Sequence, residues 1–288
     1  MLPGEHRHAN TATAGNLPLV DESGKLLARI AYVAYTRGGS PGARAARPVT
    51  FAVNGGPGAA SAYLNIGAIG PWRLPVGGDS ISPSQPVTLT PNDGTWLGFT
   101  DLVFIDPVGT GYSRAADGNG KAYWSVDSDA STLAATVARY LRVNDRMASP
   151  KFFVGESYGG FRGPLIAQKL QQDVGVGLSG LVLLSPVLDL AWLQPARTMP
   201  WGFVSKLPSF AAAALDRAGT KPSRDPMKEA EAYASGAYLT DLLKGPADRE
   251  AVARLSEKVA ALTGLDPETV RRQAGRLTAH SYQREIGR

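Results

Sequence analysis

Cysteine is absent from all 288 residues. Disulfides, thiolate nucleophiles and zinc–thiolate centres are thereby excluded, and no redox compartment can be read from the chain. Long apolar runs are also missing. None reaches the roughly 18 residues of a membrane-spanning helix. The opening MLPGEHRHAN lacks the apolar stretch of a secretory signal, so no signal peptide is expected in this sequence. Charge of one sign is not concentrated anywhere. Lys and Arg number 30 against 25 Asp and Glu, a net charge of +5, with only short basic clusters such as VRRQAGR. No stretch interleaves basic and aromatic residues, so the excess is read as solvated surface and no nucleic-acid partner is expected.

What is present is globular: 43% hydrophobic and 19% charged residues suit one large domain, or one domain with an insertion. No internal repeat is visible. KLLARIAYVAYT alternates and predicts an early strand. PVTFAV (Pro48–Val53), DLVFID (Asp101–Asp106) and SGLVLLSPVLD (Ser179–Asp189) predict buried strands, and KFFVG predicts one over 151–155. Residues 75–98 read as loop. DSDASTLAATVARYLRVNDRM predicts a helix capped near Asp127–Asp129, with an apolar face at Leu133, Val137, Tyr140 and Leu141. A further helix is predicted over 163–172. Strands alternating with helices indicate an α/β fold with a mainly parallel sheet. From about Leu190 the texture changes, and 211–280 predict several short helices and no strand. An insertion into the α/β core and a separate small helical domain are both open readings.

GESYG (Gly155–Gly159) fits Gly-x-Ser-x-Gly, a sharp strand-to-helix turn that presents its serine at the top of a sheet. The flanking glycines let that turn close. A plain turn with Ser157 as a helix cap is the alternative. NGGPG (Asn54–Gly58) follows a strand, where glycines would let backbone N–H groups approach an oxyanion. Its Asn-Gly and Pro-Gly pairs equally suit an ordinary turn. Two phosphate-loop readings fail. GVGLSG (Gly175–Gly180) sits after a helix and before a strand, the reverse of the required order. DPVGTGYSR carries Arg114 at the third glycine position. A serine nucleophile also needs a base, and histidine is scarce: His6, His8 and His280 only. His6 and His8 lie in a polar N-terminal segment that reads as a tail. His280 follows the serine in the right order, but no strand precedes it. Asp189 could serve as an acid or simply cap the helix that follows.

Three motifs in order resemble the serine carboxypeptidase family: NGGPGAASAYLNIGAIGP (Asn54–Pro71), LVFIDPVGTGYSRA (Leu102–Ala115) and VGESYGG (Val154–Gly160). The likeness covers roughly residues 25–190. The absence of Gln after the Asp of the second motif suggests a bacterial branch. The resemblance implies an α/β-hydrolase fold, a mainly parallel sheet with a helical cap insertion. Residues 1–189 would form the N-terminal part of the core and 190–288 a truncated cap, the late strands being missing. Ser157 would be the nucleophile, with Gly56 and Tyr158 giving the oxyanion-hole N–H groups. Asn54, Gly55 and Glu156 would bind the free C-terminal carboxylate of a peptide, which requires Glu156 and that carboxylate to share a proton.

Two departures stand out. Ala68 replaces a second Glu of better-known members, and Ala59 replaces the family's Cys after NGGPG. The family's Asp and His lie beyond the cap, so the chain is expected to be an inactive or nearly inactive, poorly soluble fragment with an exposed strand edge. No cofactor or metal is implied. Relatives suggest a periplasmic or secreted location. An acyltransferase or esterase on the same scaffold, and a non-catalytic binding protein, are the alternatives.

Overall fold

A computed structural model describes residues 10–75, 88–192, 198–221 and 223–287. His6, His8 and part of the expected loop 75–98 lie outside them. The chain divides into two units, Met1–Leu188 and Asp189–Arg288.

The first unit is built on a seven-stranded sheet. β1 (Asn10–Val20) and β2 (Leu26–Arg37) form an antiparallel hairpin. β3 (Val49–Val53) follows a short helix, α1 (Pro41–Ala46). β4 (Trp72–Arg73) and β5 (Thr90–Pro91) pair separately as a small ribbon. β6 (Asp101–Ile105) lies between β2 and β3, and β7 (Arg114–Ala115) adds to β2. β8 (Lys151–Glu156) and β9 (Gly180–Leu184) complete the order β1-β2-β6-β3-β8-β9. From β6 to β9 all neighbours are parallel. This is the α/β-hydrolase sheet expected from the sequence.

Period-two alternation fills both faces. Phe51, Val103, Ile105 and Phe153 pack with Leu133, Val137, Tyr140 and Leu141 of α2 (Val126–Val143) and with Ile166 and Leu170 of α3 (Tyr158–Val174). Ala52, Leu102, Phe104 and Val154 face the other way, against Leu64, Ile69 and Leu97. The apolar face predicted for α2 is therefore the buried one. Its cap is Ser125, whose hydroxyl accepts from Ser128 N, rather than a residue near Asp127.

Three expectations are corrected. β1 was not anticipated, because NTATAGNLPLV is polar and mostly exposed and is held by backbone pairing to β2. α3 starts at Tyr158, not 163, and takes Pro164 into its body. The strand predicted over Ser179–Asp189 is shorter and is not buried: Leu181, Val182, Leu183 and Leu184 are 37–44% exposed on β9, the last strand in the order.

The second unit holds seven α-helices among its described residues. They are α4 (Trp201–Val204), α5 (Leu207–Arg217), α6 (Arg224–Tyr233), α7 (Leu239–Leu243), α8 (Arg249–Thr263), α9 (Pro267–Arg272) and α10 (Ala279–Ile286). Their apolar faces meet in a core of Phe203, Leu207, Phe210, Tyr238, Leu255, Val259 and Tyr282. Among the described residues no helix is long and apolar enough to cross a membrane.

Candidate active site

β3 and β8 run side by side in parallel, with Val53 opposite Gly155. Asn54 and Glu156 therefore leave the ends of adjacent strands together. Glu156 Oε2 accepts from Asn54 Nδ2 at 3.1 Å and from the Gly55 backbone N–H at 3.3 Å. Asn54 is 1% exposed, and its other amide atom, Oδ1, accepts from Leu64 N at 3.0 Å. Both ends of the side chain are thus used, which fixes its orientation.

Ser157 follows immediately. It adopts φ 56° and ψ −118°, a left-handed conformation that strains a residue with a side chain. Such strain costs about 1–3 kcal/mol and persists only where surroundings impose it. Here Ser157 N donates to Leu184 O at 2.9 Å, and Ser157 O accepts from Gly160 N and Val187 N at 3.0 and 3.1 Å. The hydroxyl makes no helix-capping bond, so the capping alternative fails. A Cβ on Gly155 would fall on the Gly159 carbonyl, and one on Gly55 would lie 2.7 Å from Tyr158 N. Both glycines are demanded by this close approach of loop and turn. Gly56, with φ 108°, lies in the same loop.

A network that sequence reasoning missed supports the loop. Ser61 Oγ donates to Ile105 O and accepts from Asn54 N, while Ser61 N donates to Asp106 Oδ1 at 2.9 Å. Ser61 and Asp106 both lie inside the quoted motifs. Ser61 is buried, and its meeting with Asn54 and Asp106 is made in three dimensions with no linear counterpart.

A cavity of about 320 Å³ opens beside the turn, lined by Tyr158, Val108, Tyr123, Trp124, Asp129 and Arg162 among others. Arg162 is 2% exposed, and its Nε lies 3.1 Å from Asp129 Oδ2. Its guanidinium also sits 4.6 Å from the centre of the Tyr158 ring. Burial raises the Asp129 carboxyl and lowers Arg162, in each case against the pull of the partner's charge. Burial raises the Tyr158 phenol, with the Asp129 charge adding to it. Asp129→Ala strands a buried guanidinium and should cost about 3 kcal/mol in urea unfolding. A loss below about 0.5 kcal/mol, the scale of a surface substitution, would mean the pair is effectively solvated.

Among the described residues of the first unit there is no histidine, and His280 is exposed on α10 of the second. Asp189 Oδ1 accepts from Ala191 N at 2.9 Å, a local cap on the turn Leu190–Trp192. Among the described residues no three His, Cys, Asp or Glu side chains are grouped to hold a metal.

The family model described as serine carboxypeptidase matches residues 32–206. The pheromone-processing carboxypeptidase KEX1 of Yarrowia lipolytica is 32% identical over 158 residues, 52% of this chain and 22% of that protein. The serine carboxypeptidase-like 50 of Arabidopsis thaliana is 31% identical over 147 residues, 49% of this chain and 31% of that protein. Among solved structures, the proline iminopeptidase of Mycobacterium smegmatis is 18% identical, with a TM-score of 0.41 over 96% of this chain and 66% of that one. The chain spans about a quarter of the length of the curated relatives it matches.

Proposed function

Because the chain belongs to the serine carboxypeptidase family, we propose that its first unit carries the nucleophile and the carboxylate-recognition residues of a peptide-cleaving site. In this reading Ser157 Oγ attacks the carbonyl of the last peptide bond. The departing amine leaves an acyl-enzyme, which water then hydrolyses. The N–H groups of Gly56 and Tyr158 receive the oxyanion. Asn54, Gly55 and Glu156 receive the C-terminal carboxylate of the peptide. Export to the periplasm or secretion belongs to the same reading.

The observation that carries it is the cluster at the ends of β3 and β8. Glu156 Oε2 is already held by Asn54 Nδ2 and Gly55 N, one residue from the strained Ser157. A second carboxylate can join this group only by sharing a proton with Glu156. Binding of a peptide acid should therefore take up a proton and strengthen as pH falls.

The attack releases the Ser157 hydroxyl proton, which needs an acceptor. No histidine lies among the described residues of the first unit. The 288-residue chain on its own is therefore expected to be inactive or nearly so. N-blocked dipeptides, with the matching amides and esters, test this. The expected rates equal those of Ser157→Ala for every substrate. Peptide-acid turnover that Ser157→Ala abolishes would overturn the inactivity. Ser157-dependent turnover of esters alone would favour an esterase.

A further inference from the structure

A second cavity, of about 330 Å³, lies at the opposite end of the sheet from Ser157. The parallel strands begin there, at Val49, Asp101 and Lys151, whereas Ser157 follows the end of β8. Its wall includes Arg37, Arg44, Arg146, Tyr32 and Tyr140, with three threonines of β1 and β2. No carboxylate lines it. The nearest acid in the network behind it, Asp101, is fully engaged. Asp101 Oδ1 accepts from Arg37 N and Arg47 Nε, and Oδ2 from Arg146 Nη1. The Asp101 carboxylate is thus taken up by Arg47 and Arg146, and no carboxylate lines the wall beside Arg37 and Arg44.

The donors divide into committed and free ones. Arg146 is committed, with Nε on Ser149 Oγ and Nη2 on Arg47 O, each at 2.8 Å. Arg44 spends one nitrogen on Asn144 O at 3.2 Å. The Arg37 guanidinium makes no hydrogen bond or ion pair among the described residues. Tyr140 is the most telling. It is 2% exposed, with its ring clamped edge-on by Tyr32 and Phe51 at 5.4 and 5.6 Å. Its hydroxyl nevertheless has no hydrogen-bond partner among the described residues. Burial pushes this phenol well above its usual range, so it stays a proton donor. Tyr140 lines the cavity and its oxygen is not sealed from it, so an acceptor held there can take this hydrogen bond.

We propose that this cavity binds the phosphate group of a small phosphate monoester, through Arg37, Arg44 and the Tyr140 hydroxyl. Guanidiniums favour oxyanions through paired, charge-assisted bonds. Donors converging from β2, α1 and α2 suit a tetrahedral anion with several oxygens better than a planar carboxylate. The volume leaves room for an organic group beyond the phosphate. This site is separate from Ser157 and does not depend on the carboxypeptidase reading.

Calorimetric titration of the full chain at constant ionic strength tests it, with inorganic phosphate and ribose 5-phosphate as probes. One saturable site is expected for both, tighter for the monoester. Arg37→Gln with Arg44→Gln should weaken binding by about tenfold or more. Arg37→Gln keeps the backbone N–H that Asp101 accepts, so the fold is retained. Tyr140→Phe should weaken binding severalfold with an unchanged melting temperature. Absence of saturable binding, or equal affinity in the double variant, would overturn the site. Tighter binding of inorganic phosphate would overturn the monoester as its ligand.

Discussion

Asp101→Ala is expected to lower the stability of the chain by about 3–5 kcal/mol at 25 °C. Asp101 is 1% exposed at the first position of β6, in the middle of the sheet. It pairs with Arg47 at 2.6 Å and with Arg146, and it accepts the Arg37 N–H. The two guanidinium side chains are only 13% and 2% exposed. Removing the acid leaves both desolvated without a counter-charge, and breaking one buried pair this way costs about 3–5 kcal/mol. Against a total stability of about 5–15 kcal/mol, that is a large fraction. Asp101→Asn keeps an acceptor but turns an amide toward a guanidinium, so it should fall between. Urea unfolding followed by far-UV circular dichroism measures both. A loss under about 1 kcal/mol for Asp101→Ala would mean that water replaces the carboxylate, and that this end of the sheet is not sealed.

Asn54→Asp should abolish recognition of a peptide carboxylate while the chain stays folded. Asn54 uses Oδ1 for Leu64 N and Nδ2 for Glu156. The aspartate keeps the first bond and loses the second. It also sets a like charge against Glu156, which opposes entry of a third carboxylate. A charge-assisted hydrogen bond is worth about 1.5–3 kcal/mol, so at least a tenfold to hundredfold loss of affinity is expected. Asn54→Ala serves as the contrast. It also orphans the Leu64 N–H, so it should lower stability as well as binding. If Asn54→Asp bound the peptide acid as tightly as the unaltered chain, Asn54 would be a structural residue of the loop only.

The parts of the molecule that were legible in sequence are those where local sterics decide. Gly155, Ser157 and Gly159 form a turn because no larger residue fits where backbone meets backbone, and a Cβ on Gly159 would fall on the Val53 carbonyl. The strands β3, β6 and β8 were legible because each is buried on both faces. The start of α3 was misplaced because Gly159 and Gly160 resemble a loop and Pro164 suits the first turn of a helix. Gly160 is small for a packing reason instead, since a Cβ there would lie 2.7 Å from Pro186 Cβ. Tertiary contact overrides propensity at such positions. β1 escaped because its pairing is made by backbone atoms, on which side-chain pattern says little. The Arg162–Asp129 pair and the arginines around Asp101 join residues far apart in the chain, and no spacing rule connects them.

The central claim is that the residues flanking Ser157 read a free peptide carboxylate. Titrating the chain with an N-blocked dipeptide and with its C-terminal amide, at pH 5 and pH 7, tests this without requiring turnover. The expected result is binding of the acid about tenfold or more tighter than the amide, stronger at the lower pH with proton uptake, and lost in Asn54→Asp. Equal affinity for acid and amide, or a preference for the amide, would contradict the claim.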